Sequence, residues 1–403
     1  MDYLVPYGLE WMNMLVRWLH VITGIAWIGA SFYFVWLDNS LRPPAAGSDL
    51  AKKGVAGELW AVHGGGFYNP QKYLVAPAEL PAELHWFKWE AYSTWLSGFA
   101  LLVIVYWLNA QAMMVDRSVA DLSSWQAIGL GAGSLVAGWV VYDLLCRSPL
   151  GKHDLAFGVV VFALLVGAAW VLTHFLSGRA AYIHVGAMIG TIMVANVAMV
   201  IIPGQRKMVE AMRAGSTPDP VHGIRGKQRS VHNNYFTLPV LFIMISNHFA
   251  MTYRHPHAWA VLGTIMAAGV FIRHFFNLRH KGRVEWVYPA IGVALLLGLA
   301  ILLAPVLAPP RPNVSGTVPF ARVETILRAR CVSCHAAHPT QPGFASAPAG
   351  VMLDDARGIA QNAPRIYQQA VQLKAMPLAN MTNMTDAERA ELGAWFEAGA
   401  KTD

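Results

Sequence analysis

Residues 154–176 read DLAFGVVVFALLVGAAWVLTHFL. Asp154 and His174 stand near the two ends of this run, and only apolar residues, Gly and one Thr lie between them. A helix needs about 20 mostly apolar residues to cross the roughly 30 Å of hydrocarbon in a bilayer. The run has that length and no polar stripe that would turn one side to water. Seven more stretches have the same character: 11–37, 89–109, 125–145, 181–203, 235–253, 258–276 and 287–307. Composition agrees, with 55% hydrophobic residues and 13% charged, where a soluble domain carries about 25% charged. This composition excludes a soluble enzyme and a disordered chain, and three cysteines cannot make the framework of a disulfide-rich secreted module. The fold class expected is all-α: a polytopic bundle of eight membrane helices, residues 1–307, with an appended domain.

The first span carries Arg17 and His20, and only Asp2 and Glu10 are charged before them. Without a basic leader it reads as a retained helix and not a cleaved signal. Residues 308–316 (APPRPNVSG) form a Pro-rich linker, and 317–403 are polar and helix-patterned. Eight spans put both termini on one side. One set of loops holds Arg117, Arg179 and Arg254; the other holds sixteen Lys and Arg, among them Arg42, Lys72, Lys152, Arg206, Arg229 and Lys281. The positive-inside rule places the sixteen in the cytoplasm and the C-terminal domain outside it. The net charge of +7 is therefore a topology signal, and no nucleic-acid partner is expected.

The C-terminal domain opens with an amphipathic stretch, 320–330, followed by Cys331-Val-Ser-Cys334-His335. Two thiols at this spacing can each form a thioether to a haem vinyl group, and the adjacent imidazole reaches the iron. A thioredoxin-like pair leaves the His unexplained, and a zinc site lacks its second cysteine pair. Met376, before a final amphipathic helix at 386–399, is the expected sixth ligand; Met352, Met381, Met384 and His338 compete with it. This part resembles a class I cytochrome c, in which His/Met ligation raises the reduction potential.

Ionisable side chains inside spans are costly and mark functional sites by default. At 1.5 Å per residue, His20, His174, His184 and His248 lie within about 15 Å of the outer ends of four different helices. Bundle cores build cofactor sites from facing helices. These four are candidate ligands of a haem b, with His20 and His248 the best match in depth. Helix-to-helix hydrogen bonding is the alternative.

The cytoplasmic half has its own polar groups. One loop brings His63-Gly-Gly-Gly-Phe67-Tyr68-Asn69 and then His85 and Glu90; a second brings Arg225, Gln228, Arg229, His232, Asn233, Asn234 and Tyr235; Arg273 and His274 lie near the inner end of the seventh span. The Gly64–Gly66 run lacks the spacing of a phosphate loop. Lipid contact for the basic residues and helix capping for His232 and Glu90 are the simpler readings.

Three stretches together carry a family resemblance: 17–41 (RWLHVITGIAWIGASFYFVWLDNSL), 232–248 (HNNYFTLPVLFIMISNH), and the tail with CVSCH and MPLANMT. The chain resembles, over essentially its whole length, the bacterial membrane-bound, cytochrome-c-linked urate oxidases (urate hydroxylases). The resemblance implies an inner-membrane enzyme with periplasmic termini that oxidises urate to 5-hydroxyisourate in purine breakdown. Its electrons leave through a covalent haem c to a cytochrome c or terminal oxidase, without hydrogen peroxide. A planar anion such as urate calls for an Arg, amide side chains to read its edges and an aromatic ring. Arg225, Gln228, Asn233 and Asn234 are the candidate binding residues, with His232, His85, Glu90 and Arg229 the candidate catalytic ones. Two other functions compete: a quinol-to-cytochrome c electron-transfer module without a purine site, and a transporter. Against the transporter, no inverted repeat of broken helices is visible.

Overall fold

The computed structural model describes residues 4–304, 318–342, 344 and 346–402; the expected linker 308–316 and the end of the last span lie outside the described residues. The chain is mostly helical, and the bundle helices are α1 (Leu4–Ser40), α2 (Trp89–Leu101), α3 (Ser124–Arg147), α4 (Asp154–Phe175), α5 (Gly178–Ala195), α6 (Ile202–Arg213), α7 (Pro220–Ile245), α8 (Ala258–His280) and α9 (Val287–Leu302). Polar residues set where several of them start. Ser123 and Gln126 form a reciprocal capping box at α3, Ser177 caps α5, and Asp219 caps α7 with Pro220 in its first turn.

Five helical stretches are long and apolar enough to cross a membrane: Tyr7–Ser40, Ser124–Arg147, Asp154–Phe175, Gly178–Arg213 and Ala258–His280. The other three expected spans are also helical but differ in form. α2 passes into a π-helix at Leu102–Trp107, α7 begins in a polar segment at Pro220, and α9 is a 16-residue apolar helix. α5 and α6 join through a second π-helix, Asn196–Ile201.

α5 forms the buried axis. Tyr182, Val185 and Ile189 are fully enclosed and pack with Leu172 of α4 and Leu262 of α8. α1 lies at the periphery and exposes Trp18, Leu19 and Ile25, as suits a surface that faces lipid. Glycine permits the closest helix crossings. A Cβ at Gly131 would stand 2.5 Å from His184 Nε2, and one at Gly186 would stand 2.4 Å from Ile243 Cγ2. Gly129, Gly133 and Gly190 face open space instead.

The all-α expectation needs one amendment. The first long loop folds into a nested antiparallel hairpin, with β1 (Val55–Glu58) paired to β4 (Gln71–Tyr73) and β2 (Ala61–His63) paired to β3 (Gly66–Tyr68). Gly64 and Gly65 both take positive φ at its tip, the geometry of a two-residue hairpin turn. That turn explains the glycine run.

The tail contains α10 (Phe320–Arg330), α11 (Ala356–Ile366) and α12 (Asp386–Glu397) around a core that includes Val323, Leu327, Leu392 and Trp395. It meets the bundle at the end where α1 begins. Ser346 Oγ donates to Glu10 Oε1 at 3.2 Å, Arg254 donates to the Lys374 carbonyl, and Ala375 joins the bundle's apolar core.

Candidate functional site

Two polar clusters lie in the half of the bundle away from the tail, and α7 contributes to both. In the first, Arg229 Nη2 pairs with Asp143 at 2.7 Å and its Nη1 donates to Asn196 Oδ1 at 3.0 Å. Asn196 Nδ2 donates to Asn233 Oδ1 (2.8 Å) and to the Tyr142 hydroxyl (3.1 Å). Tyr142 meets His232 Nδ1 at 2.7 Å, and the His232 ring stacks on Phe157. Asn233 Nδ2 is spent on the Met193 carbonyl. Arg229, His232 and Asn233 thus stand together as the sequence predicts, in a network whose polar atoms are mutually satisfied.

Asn234 turns the other way. Its Oδ1 accepts from Arg273 Nε at 2.9 Å and from Asn277 Nδ2 at 3.0 Å, and beside this pair Tyr235 shares a 2.7 Å hydrogen bond with His274 Nδ1. Asn196, Asp143, Asn277 and the placement of Arg273 were not selected from the sequence. Their shared signal is a polar side chain inside an apolar span, and that signal is available for every such residue.

The remaining sequence-selected groups lie elsewhere. Arg225 is exposed, and Gln228 donates to the Gly151 carbonyl at 2.6 Å. His85 is exposed against Phe87, and Phe67 and Tyr68 are exposed on the hairpin. Glu90, in the first turn of α2, has a buried carboxylate oxygen without a partner.

Toward the tail, the four histidines expected to hold a haem b have different surroundings. His20 Nδ1 donates to the Thr94 carbonyl (3.0 Å) and lies against Gly98 of α2. His184 is fully buried between Gly131 and Trp107; its Nδ1 donates to the Ala180 carbonyl and its Nε2 accepts from the Trp107 indole at 3.2 Å. His174 and His248 are exposed. Both His184 nitrogens are therefore committed within the bundle.

The tail motif fits its group. Cys331 and Cys334 are free thiols at the end of α10, and burial pushes the Cys331 thiol up to about 12, away from thiolate chemistry. His335 Nδ1 donates to the Val351 carbonyl at 3.0 Å, which leaves Nε2 for an iron, the usual arrangement of a ligating imidazole. Met376 packs on the tail core, and its carbonyl accepts from Arg389 at 2.7 Å. Arg389, itself buried, also donates to the Ala370 carbonyl and to Asn380 Oδ1, so one guanidinium sets the loop that carries Met376. Cys331, Cys334, His335 and Met376 are the residues that would hold a c-type haem bound to the tail.

The fold defines a helical bundle of membrane type with a small helical tail. The chain belongs to the urate oxidase N-terminal family, which matches residues 6–304. The match ends where the described bundle ends, so the tail lies outside it. The family places the chain among oxidoreductases that act on urate. No curated protein and no solved structure matches it.

Proposed function

We propose that this chain is a membrane-bound urate oxidoreductase of the cytochrome-linked type, with its termini in the periplasm and its tail carrying a haem c. The observation that carries the reading is a urate oxidase family match over the bundle, in one chain with Cys331, Cys334 and an anchored His335. The reaction is urate plus water giving 5-hydroxyisourate, two electrons and two protons, with no dioxygen consumed. Bound on the tail, the haem supplies a one-electron acceptor at the outer end of the bundle.

The residues of this chain bind the anion, exclude water and handle the protons. His232 is held by Tyr142 at Nδ1 and by Phe157 on its face, so the ring is fixed. The loop from Lys374 to Leu378 rests on the bundle at Arg254, which keeps Met376 close to the membrane domain.

An anaerobic visible spectrum of the purified protein tests the reading. A c-type α-band that develops on adding urate is the expected result. If urate leaves the spectrum unchanged while quinol reduces the haem, the electron-transfer module without a purine site replaces this reading.

A further inference from the structure

The Arg229 network neutralises its own charge; the Arg273 cluster does not. Arg273 is 5% exposed, and among the described residues no carboxylate pairs with it. A buried, uncompensated charge destabilises a folded protein and persists inside a span where function demands it. The orientation of the neighbouring amides follows from it. Asn234 must aim Oδ1 at the guanidinium and at Asn277 Nδ2, so both amides present their other ends away from the shared bond. The atoms left over are two donors, Arg273 Nη2 and Asn234 Nδ2, and one acceptor, Asn277 Oδ1, all buried and all without a partner. Asn234 is 1% exposed and Asn277 9%. The Phe32 ring centroid of α1 lies 4.0 Å from the guanidinium carbon and covers one face of Arg273.

The same two helices carry a cleft. Trp36 and Ser40 continue the Phe32 face of α1 toward its C-terminus, and Phe276 and His280 continue the Arg273 face of α8. With Arg279 they line an open surface cleft of about 410 Å³, and Arg273, Asn234 and Asn277 lie beyond its lining. Arg273 lies seven residues before His280, about 10 Å deeper along the helix.

We propose that the cleft between α1 and α8 leads to a binding site for a planar purine oxyanion, made by Arg273, Asn234 and Asn277 with Phe32 behind the guanidinium. The two unpaired donors meet anionic or carbonyl oxygens of the ligand, and the unpaired acceptor takes a ring N–H. This deepens the urate reading and rests on it for the identity of the ligand.

The test is equilibrium binding of radiolabelled urate to the full-length haem-loaded protein in lipid nanodiscs, without oxygen, for wild type, Arg273→Gln and Asn277→Asp. Asn277→Asp gives up the donor to Asn234 but sets a carboxylate beside Arg273, supplying the missing counter-charge and filling the site's need for an anion. Both variants are expected to bind urate at least 30-fold more weakly, with unchanged haem spectra and thermal midpoints. Binding within threefold of wild type in Asn277→Asp overturns the site, even if Arg273→Gln fails to fold. The urate reading then stands as long as urate still reduces the wild-type haem. A wild type that neither binds urate nor is reduced by it overturns both.

Discussion

Arg229 and Arg273 are both buried arginines near the inner end of the bundle, and their surroundings give them different work. Arg229 shares the Asp143 carboxylate with Arg147 and is locked to Asn196. Truncating one partner of a buried ion pair leaves the other charge exposed to a low dielectric, at a cost of about 3–5 kcal/mol when no other cation is present. Arg147 remains in Arg229→Ala, so a loss nearer the lower limit is expected, read as a fall in the thermal midpoint. If Arg229→Ala keeps its stability and instead raises the urate requirement, the residue belongs to the substrate site. The sequence shows Asn233 and Asn234 as one polar pair. Successive helical residues are about 100° apart, however, so each amide meets a different neighbour. Which arginine is neutralised depends on an aspartate 86 positions away, a pairing no local pattern contains.

At the scale of the elements, apolar run length identifies the helices and glycine identifies how closely they approach. Gly138 and Gly186 are tight contacts of the kind small residues at helix interfaces permit, but Gly131 is the glycine that seats His184. Run length alone does not distinguish a glycine facing a neighbour from one facing lipid. Gly131→Ala should cost about 1–3 kcal/mol by overpacking against a ring held on both nitrogens, measured as a lower unfolding temperature. Gly133→Ala, which meets only open space, is the matched control and should leave that temperature unchanged or slightly raised. The β-hairpin was hidden for another reason: its strands are three or four residues long, too short for an alternating pattern to stand out.

In the tail, the start of α12 is fixed by the Thr385 and Glu388 capping box, and Thr385→Ala should cost about 1 kcal/mol. Next to it, the Lys374 ammonium holds the Asp386 carboxyl below its usual range. A depressed carboxyl stabilises the fold above its unfolded value, about pH 4, and that contribution disappears as pH falls through the depressed one. The pair is solvent-exposed and worth under about 1 kcal/mol. Acid unfolding of the tail should therefore begin at slightly higher pH in Asp386→Asn, followed by amide hydrogen exchange in α12.

Across the whole molecule, the tail is seated by a few groups. Arg254 links the buried Asp116 carboxylate to the Lys374 carbonyl, next to the loop that carries Met376. Arg254→Ala is expected to raise amide hydrogen exchange in residues 374–380 while leaving exchange in α10 as in wild type. Equal protection of the loop in both proteins removes Arg254 from the docking contact. The haem motif is legible in sequence because its chemistry lies within five consecutive residues. The docking surface is not, since it assembles positions 112–113, 177–179 and 253–254 against 375 and 378.

The tail contacts one end of α8, near Arg254, while Arg273 lies toward the other, about 22 Å along the helix from Ala258. If urate is oxidised at Arg273 and its electrons are collected on the tail, as proposed, turnover would move negative charge outward through most of the insulating layer. A cell interior at negative voltage pushes electrons in that direction, by up to about 2.3 kcal/mol per charge for every 100 mV over a full crossing. The enzyme would run faster in an energised membrane and would draw down the voltage that drives it.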